Sequence, residues 1–179
     1  NGSVSAKTRE KLEKIIKETN YQPNILAQSL KAQKSSIVGV IIPRYDSPSM
    51  SQVLKGIDAV AHAEDIQLMI MNSNLDIERT KKNIKLMQRQ KVGVIILLAS
   101  AIDAELKEII NTSSTPILIM GQELNSSPSF LYQDYEAGRI IANHAIELGH
   151  RKLLFVGVSE DDYAVGVLRK KGFYDVAEE

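Results

Sequence analysis

Four apolar runs, alternating with segments of helical spacing, limit what this chain can fold into more than any other feature. They cover residues 37–43, 66–71, 92–99 and 116–120. The first is apolar at every position, as expected of a strand covered on both faces in a parallel sheet. Between the runs, Val53, Leu54, Ile57, Val60 and Ala61 fall at helical spacing, a charged helix spans 78–90, and another lies near 104–110. This alternation predicts an α/β fold, a doubly wound parallel sheet with right-handed crossovers. Residues 126–134 predict a loop and a short edge strand, and a helix over 135–148 is expected to end at Gly149, a natural C-cap glycine. Residues 152–158 predict a further buried strand and 163–179 a further amphipathic helix. A strand–helix pair of this kind reads as the opening of a second α/β lobe. The expected organisation is therefore a core subdomain over 36–150 and the start of a truncated second subdomain over 151–179.

The first 35 residues have a different character. Ser5 is a plausible N-cap, and Leu12, Ile15 and Ile16 follow at helical spacing until Asn20, Tyr21, Gln22 and Pro23 stop the run. One such helix cannot form a core alone; it either docks elsewhere or survives from a larger headpiece. Residues 21–36 then read as a short helix with few apolar side chains (Ile25, Leu26 and Leu30) among Asn24, Gln28, Lys31, Gln33 and Lys34. A lysine-bearing helix with a protruding leucine suits insertion into a DNA minor groove. Charge points the same way. The formal net charge is zero, yet residues 1–35 carry seven Lys/Arg against three Glu, and the remainder holds fifteen basic against nineteen acidic residues. A basic end on an acidic body suits a polyanionic partner for that end, although a solvated helix face fits the same charges. The sequence has no cysteine, which removes disulfides, thiolate chemistry and Cys-based metal sites and fits a reducing cytosol. No run approaches the roughly 20 residues of a membrane span, and the first residues lack a signal-peptide layout. A cytoplasmic protein with no membrane partner is expected.

Chemistry of the catalytic kind is missing from the pattern. No glycine-rich phosphate loop follows the first strand; Pro43, Arg44, Tyr45, Asp46 and Ser47 stand there instead, which disfavours nucleotide binding by the usual routes. His62, His144 and His150 are scattered and read as surface or capping histidines rather than ligands or bases. No metal, cofactor or catalytic residue is nominated, and an enzyme is not expected. Open parallel sheets bind ligands beyond the carboxyl ends of their strands, which selects the loops opened by Pro43, Asn72, Ser100, Met120 and Val158. In the first of these, Arg44, Tyr45, Asp46 and Ser47 offer a clamp for a hydroxylated or anionic small molecule. An arginine simply paired with Asp46 is the competing reading.

Taken in order, Ser5-Ala-Lys-Thr-Arg-Glu-Lys-Leu, Asn20-Tyr21-Gln-Pro23-Asn24, Ala27-Gln-Ser-Leu30-Lys31 and Val38-Gly-Val-Ile-Ile-Pro43 resemble the last headpiece helix, hinge helix and first core strand of the lactose/galactose-repressor (LacI/GalR) family. Tyr132-Gln-Asp134-Tyr-Glu-Ala-Gly138 and Leu148-Gly-His-Arg-Lys-Leu153 resemble that family's later loop, helix and entry to the second subdomain. The resemblance implies a periplasmic-binding-protein-like core behind a headpiece remnant (1–35) with a hinge helix over about 23–33. It implies that Leu30 wedges into the minor groove, that Lys31 lines it, and that Tyr21, Asn24 and Gln28 add DNA contacts. For an effector it implies Ser49 and Met50 after the first strand, Gln122 after the fourth, and Tyr163, Val165 and Arg169 in the crossover, with Arg169 as the gripping arginine. Arg44 resembles the phosphate-binding arginine of trehalose-type repressors, implying a phosphorylated sugar. The expected function is a repressor that binds operator DNA, responds to a sugar or sugar phosphate between two lobes, and dimerises through its core beside 48–64. The first two headpiece helices and most of the second subdomain are missing from the resemblance, and Gln28 stands where an arginine is usual. A periplasmic-type sugar-binding protein is the weighed alternative, opposed by the lysine-rich helix and hinge motif. A doubly wound enzyme is opposed by the absent glycine loop.

Overall fold

In the computed structural model, which describes residues 5–19 and 35–178, each apolar run between 37 and 120 forms a strand. These are β1 (Ile37–Ile42), β2 (Gln67–Asn72), β3 (Val94–Leu98) and β4 (Ile117–Met120), followed by the short β5 (Ser129–Phe130). The order across the sheet is β2-β1-β3-β4-β5, and every pairing is parallel. The chain winds from β1 to β2 on one side and then to β3 on the other. The strand order therefore reverses at β1, which makes its carboxyl end a switch point.

Helices α2 (Pro48–Ala63), α3 (Ile77–Arg89), α4 (Ala104–Asn111) and α5 (Asp134–Glu147) follow β1, β2, β3 and β5, and α6 (Lys170–Ala177) ends the order. Strand alternation divides the core between the two faces. Ile41, Ile95, Leu97, Ile117 and Ile119 face α3 and α4, packed with Ile84, Met87, Leu106 and Ile110. Val40, Ile42 and Leu98 face α2, where Met50, Val53, Leu54 and Ile57 pack on them.

Three helices close with a left-handed residue and the same pair of hydrogen bonds. After α5, Gly149 (φ 88°) donates to Ile146 O at 2.9 Å and His150 N to Ala145 O at 3.1 Å, the Schellman arrangement. Asp65 and Lys91 play the part of Gly149 after α2 and α3, with Ile66 N on Ala61 O (2.8 Å) and Val92 N on Met87 O (3.3 Å). In both, the residue after the left-handed one is apolar and leads into the next strand.

The predicted strand over 152–158 does not form. These residues pair with no strand, and Leu154 and Val156 are 85% and 84% exposed. Their apolar pattern expresses a preference for burial, but a strand also needs a hydrogen-bonding neighbour, and no described residues supply one. Leu153 and Phe155 pack against Ala142, Phe173 and Val176 of α5 and α6. The predicted helix over 163–179 is split: Tyr163–Arg169 is a π-helical turn that runs into α6. Glycine permits this packing, since a Cβ on Gly138 would strike the Arg169 carbonyl and one on Gly172 the Tyr135 carbonyl.

Two compact units divide the chain at Ser35 and Ser36. In the first, α1 (Ala6–Thr19) begins as expected, with Thr8 N donating to Ser5 Oγ at 3.3 Å. Leu12, Ile15 and Ile16 are 44–49% exposed and α1 buries no residue. The hinge positions Tyr21, Asn24, Gln28, Leu30 and Lys31 lie outside the described residues.

Candidate ligand cleft

The loops at the carboxyl edge of the sheet are fixed by their own hydrogen bonds. After β1, Ser47 caps α2, its Oγ accepting from Met50 N at 3.5 Å. After β2, Ser73 is buried and stitches the loop to β1, its N and Oγ donating to Ile42 O at 2.9 and 3.2 Å. Asp76 caps α3, accepting from Glu78 N and Arg79 N at 2.8 and 3.1 Å. After β3, Asp103 caps α4 through Leu106 N at 2.7 Å. After β4, Gly121 takes a φ of 91°, a left-handed conformation that favours glycine, and the chain turns Gln122 inward.

Gln122, 7% exposed, joins two parts of this edge. Its Nε2 donates to Ser100 O at 3.0 Å and to Asp162 Oδ1 at 2.9 Å. The same Asp162 oxygen accepts from Val165 N at 3.2 Å and so caps the π-helical turn. A single amide thus links the β3–α4 loop, the end of β4 and the segment entering α6. Beside it opens a cleft of about 670 Å³, walled by Ile102, Lys107 and Asn111 on one side, Gln122–Ser126 on another, and Asp161 and Tyr163 on a third.

Lys81 ties α3 to the start of α4. Its ammonium is buried and meets Glu78, Asp103 and Glu105 at 2.7, 2.9 and 2.5 Å. Hydrogen bonds to these carboxylates hold the Lys81 ammonium well above the usual lysine range. The Lys81 hydrogen bond, followed by that from Leu106 N, holds the Asp103 carboxyl below its ordinary value. The carboxylate oxygens lie close enough together to ligate a cation, and the ammonium fills that place.

The expected effector residues divide sharply. Gln122 and Tyr163 line the cleft together. Arg44 pairs with Asp46 at 3.1 Å, the competing reading of that loop, and Tyr45 is 64% exposed. Ser47 and Ser49 bond each other at 2.8 Å, while Met50 packs from α2 onto Val40, Ile42 and Leu98 of the sheet. Val165 is half-buried in the π-helical turn, and Arg169 directs Nε and Nη2 onto the buried carboxylate of Asp134. None of these eight lines the cleft. Sequence reasoning passed over Lys107, Asn111, Asp161 and Asp162; the acidic pair before Tyr163 was the available signal. Lys81 read simply as part of a charged helix.

Residues 35–179 match the family described as periplasmic binding proteins and sugar binding domain of the LacI family. The sucrose operon repressor of Staphylococcus xylosus is 37% identical over 172 residues, covering 96% of this chain and 54% of that protein. This chain belongs to the LacI family. Catabolite control protein A of the same organism is 32% identical over 174 residues, 93% of this chain and 53% of its own length. The chain thus spans about half the length of these relatives. Among solved LacI-family structures, the Lac repressor dimer bound to operator and the anti-inducer ONPF superposes with a TM-score of 0.85 at 23% identity, over 99% of this chain and 54% of that one. The transcription regulator CcpA of Lactococcus lactis gives 0.71 at 22% identity, over 80% and 53%. These likenesses agree with the doubly wound, periplasmic-binding-protein-like core. Among the described residues no helix is long and apolar enough to cross a membrane.

Proposed function

We propose that this chain is the hinge and core portion of a DNA-binding transcription repressor whose DNA affinity is set by a small sugar-like effector in the cleft beside Gln122. The observation that carries the reading is the 37% identity to the sucrose operon repressor along 96% of the chain. Residues 1–35 form the DNA-facing part, with Tyr21, Asn24, Gln28, Leu30 and Lys31 as its contacts, and residues 151–179 open the second effector subdomain. The protein acts as a homodimer joined through its core beside α2. The Gln122–Asp162 bond supports the coupling, because it crosses from the strand ends to the segment leading into α6. A ligand that replaces either partner changes how these segments sit and biases one arrangement over another.

The test is binding of a labelled operator duplex by the full-length protein at low salt, with and without sugars. Affinity is expected to fall with rising salt, as phosphate contacts require, and to change on adding an effector. DNA binding that is absent at low salt, or indifferent to every sugar offered, overturns the reading.

A further inference from the structure

We infer that the outer face of α3 is a docking surface for another protein, one that presents acidic side chains around a small apolar patch. No residue of α3 lines the cleft, and the surface is independent of the effector reading.

Charge is spread unevenly over residues 36–179. Residues 77–91 carry six of the fifteen basic side chains there and one of the nineteen acidic ones, Glu78. The rest of that stretch is left with nine basic against eighteen acidic residues. Lys81 turns inward onto its three carboxylates, Glu78 among them. Arg79, Lys82, Lys85 and Arg89 are exposed, and among the described residues none of the four is in an ion pair. At 3.6 residues per turn they share one face of α3 and form a ridge about 15 Å long. A cationic ridge on an acidic body favours an anionic partner over a neutral or basic one.

A merely solvated helix interleaves its signs, as α1, α5 and α6 do. Arg9 meets Glu13 and Lys14 meets Glu18 on α1, Arg139 meets Glu136 on α5, and Lys171 meets Asp175 on α6. On α3 the same spacings join like charges: Arg79 with Lys82, Lys82 with Lys85, and Lys85 with Arg89. Such pairs oppose helix formation, and Arg79 stands in the first turn, where the helix dipole disfavours a cation. The arrangement works against the stability of α3, and an anionic partner relieves it. Leu86 decides for a protein over a nucleic acid. It is 42% exposed, with Lys82 four positions before it and Arg89 three after it. More than half covered, it cannot enter a base step as a wedge does, and a phosphate backbone offers it nothing. A protein interface sets an apolar centre inside a polar rim, and basic clusters recognise acidic motifs. So short a ridge suits weak, transient association.

Fluorescence anisotropy of this chain with a labelled glutamate- and leucine-rich amphipathic peptide, about four turns long, tests the inference. Binding is expected at low salt and should weaken toward physiological salt. The double variant Lys82→Glu, Lys85→Glu should weaken it about tenfold or more, the neutral pair Lys82→Gln, Lys85→Gln by less, and Leu86→Ala about fivefold. No binding at low salt, or binding unmoved by the double variant or by Leu86→Ala, overturns the inference. Thermal midpoints of the charge variants should hold or rise, since each glutamate gains Arg79 or Arg89 as an opposite neighbour. A fall would show that the fold itself needs these cations, and overturns the inference as well. A labelled DNA duplex is the second probe, expected to bind all variants alike. Duplex binding lost in the double variant would make the ridge a nucleic-acid surface and overturn the protein reading.

Discussion

The two faces of the sheet are built from the same strands and finished very differently. On the α3–α4 face, eleven apolar residues form a continuous buried cluster. On the α2 face three are buried, and an apolar groove of about 510 Å³ runs between α2 and the Phe130–Tyr132 pair, floored by Val38, Ile96 and Met120. Neighbouring positions on one strand therefore live in different surroundings: Ile95 is 0% exposed toward the dense face, while Ile96 faces the groove. Strand pattern assigns residues to faces, but only the helices that arrive decide how complete each face becomes.

The largest effect should come from truncating the dense face. Ile95→Ala is expected to cost ~3–4 kcal/mol and Ile96→Ala ~1–2 kcal/mol, because a cavity between packed helices cannot collapse whereas a groove wall has less to lose. Urea unfolding of both variants measures the gap, and equal losses would mean that the groove is covered in solution. Next comes the Lys81 clamp, which fastens α3 to α4 on the same dense face. Asp103 has a folded-state pKa below its ordinary value, so its contribution is present above roughly pH 4 and is lost as pH falls through the lowered value. Lys81 is shifted upward; its contribution is intact below roughly pH 10 and is lost as pH rises through the raised value. Thermal midpoints across this range should form a plateau. Asp103→Asn should flatten its acid edge, and Lys81→Met, which strands three carboxylates together, should lower the plateau; an acid edge unmoved in Asp103→Asn breaks the assignment. The smallest effect has the opposite sign. Gly56 lies within α2 where an added Cβ meets nothing within 4 Å, so Gly56→Ala should stabilise by ~0.5–1 kcal/mol through helix propensity and a restricted unfolded chain. A loss there would show that something packs against α2 at this point.

Which parts were legible follows from the range of the interactions involved. β1, β3 and β4 could be read because burial between two helical layers leaves continuous apolar runs, and the ends at Ser5 and Gly149 because capping is local. The segment over 152–158 carries the same apolar signature without a partner strand, and a partner is a property of the rest of the fold. The π-helical turn was illegible for a related reason: its geometry answers to the close packing of α5 against the segment leading into α6, which Gly138 on α5 and Gly172 on α6 permit. In the cleft, the rule that ligands bind beyond strand ends reached Gln122. It did not reach Lys81, whose partners Asp103 and Glu105 lie 22 and 24 positions onward, or the Asp134–Arg169 pair, whose members lie 35 positions apart. Side chains that distant meet only after the strands have been ordered.

The switch in strand order at β1 also has a kinetic side. β1 can pair with β2 once a single helix has formed between them, aligning Ile37 with Gln67. Its other edge must wait for β3, aligning Val38 with Val94 across two helices and a strand, and β4 has no edge to join until β3 is in place. Parallel pairing across such separations is slow because chain closure precedes any contact that rewards it. Refolding should therefore proceed outward from β1, with docking of β3 as the slow step and the cleft, built on β3 and β4, the last part of the sheet's edge to take shape.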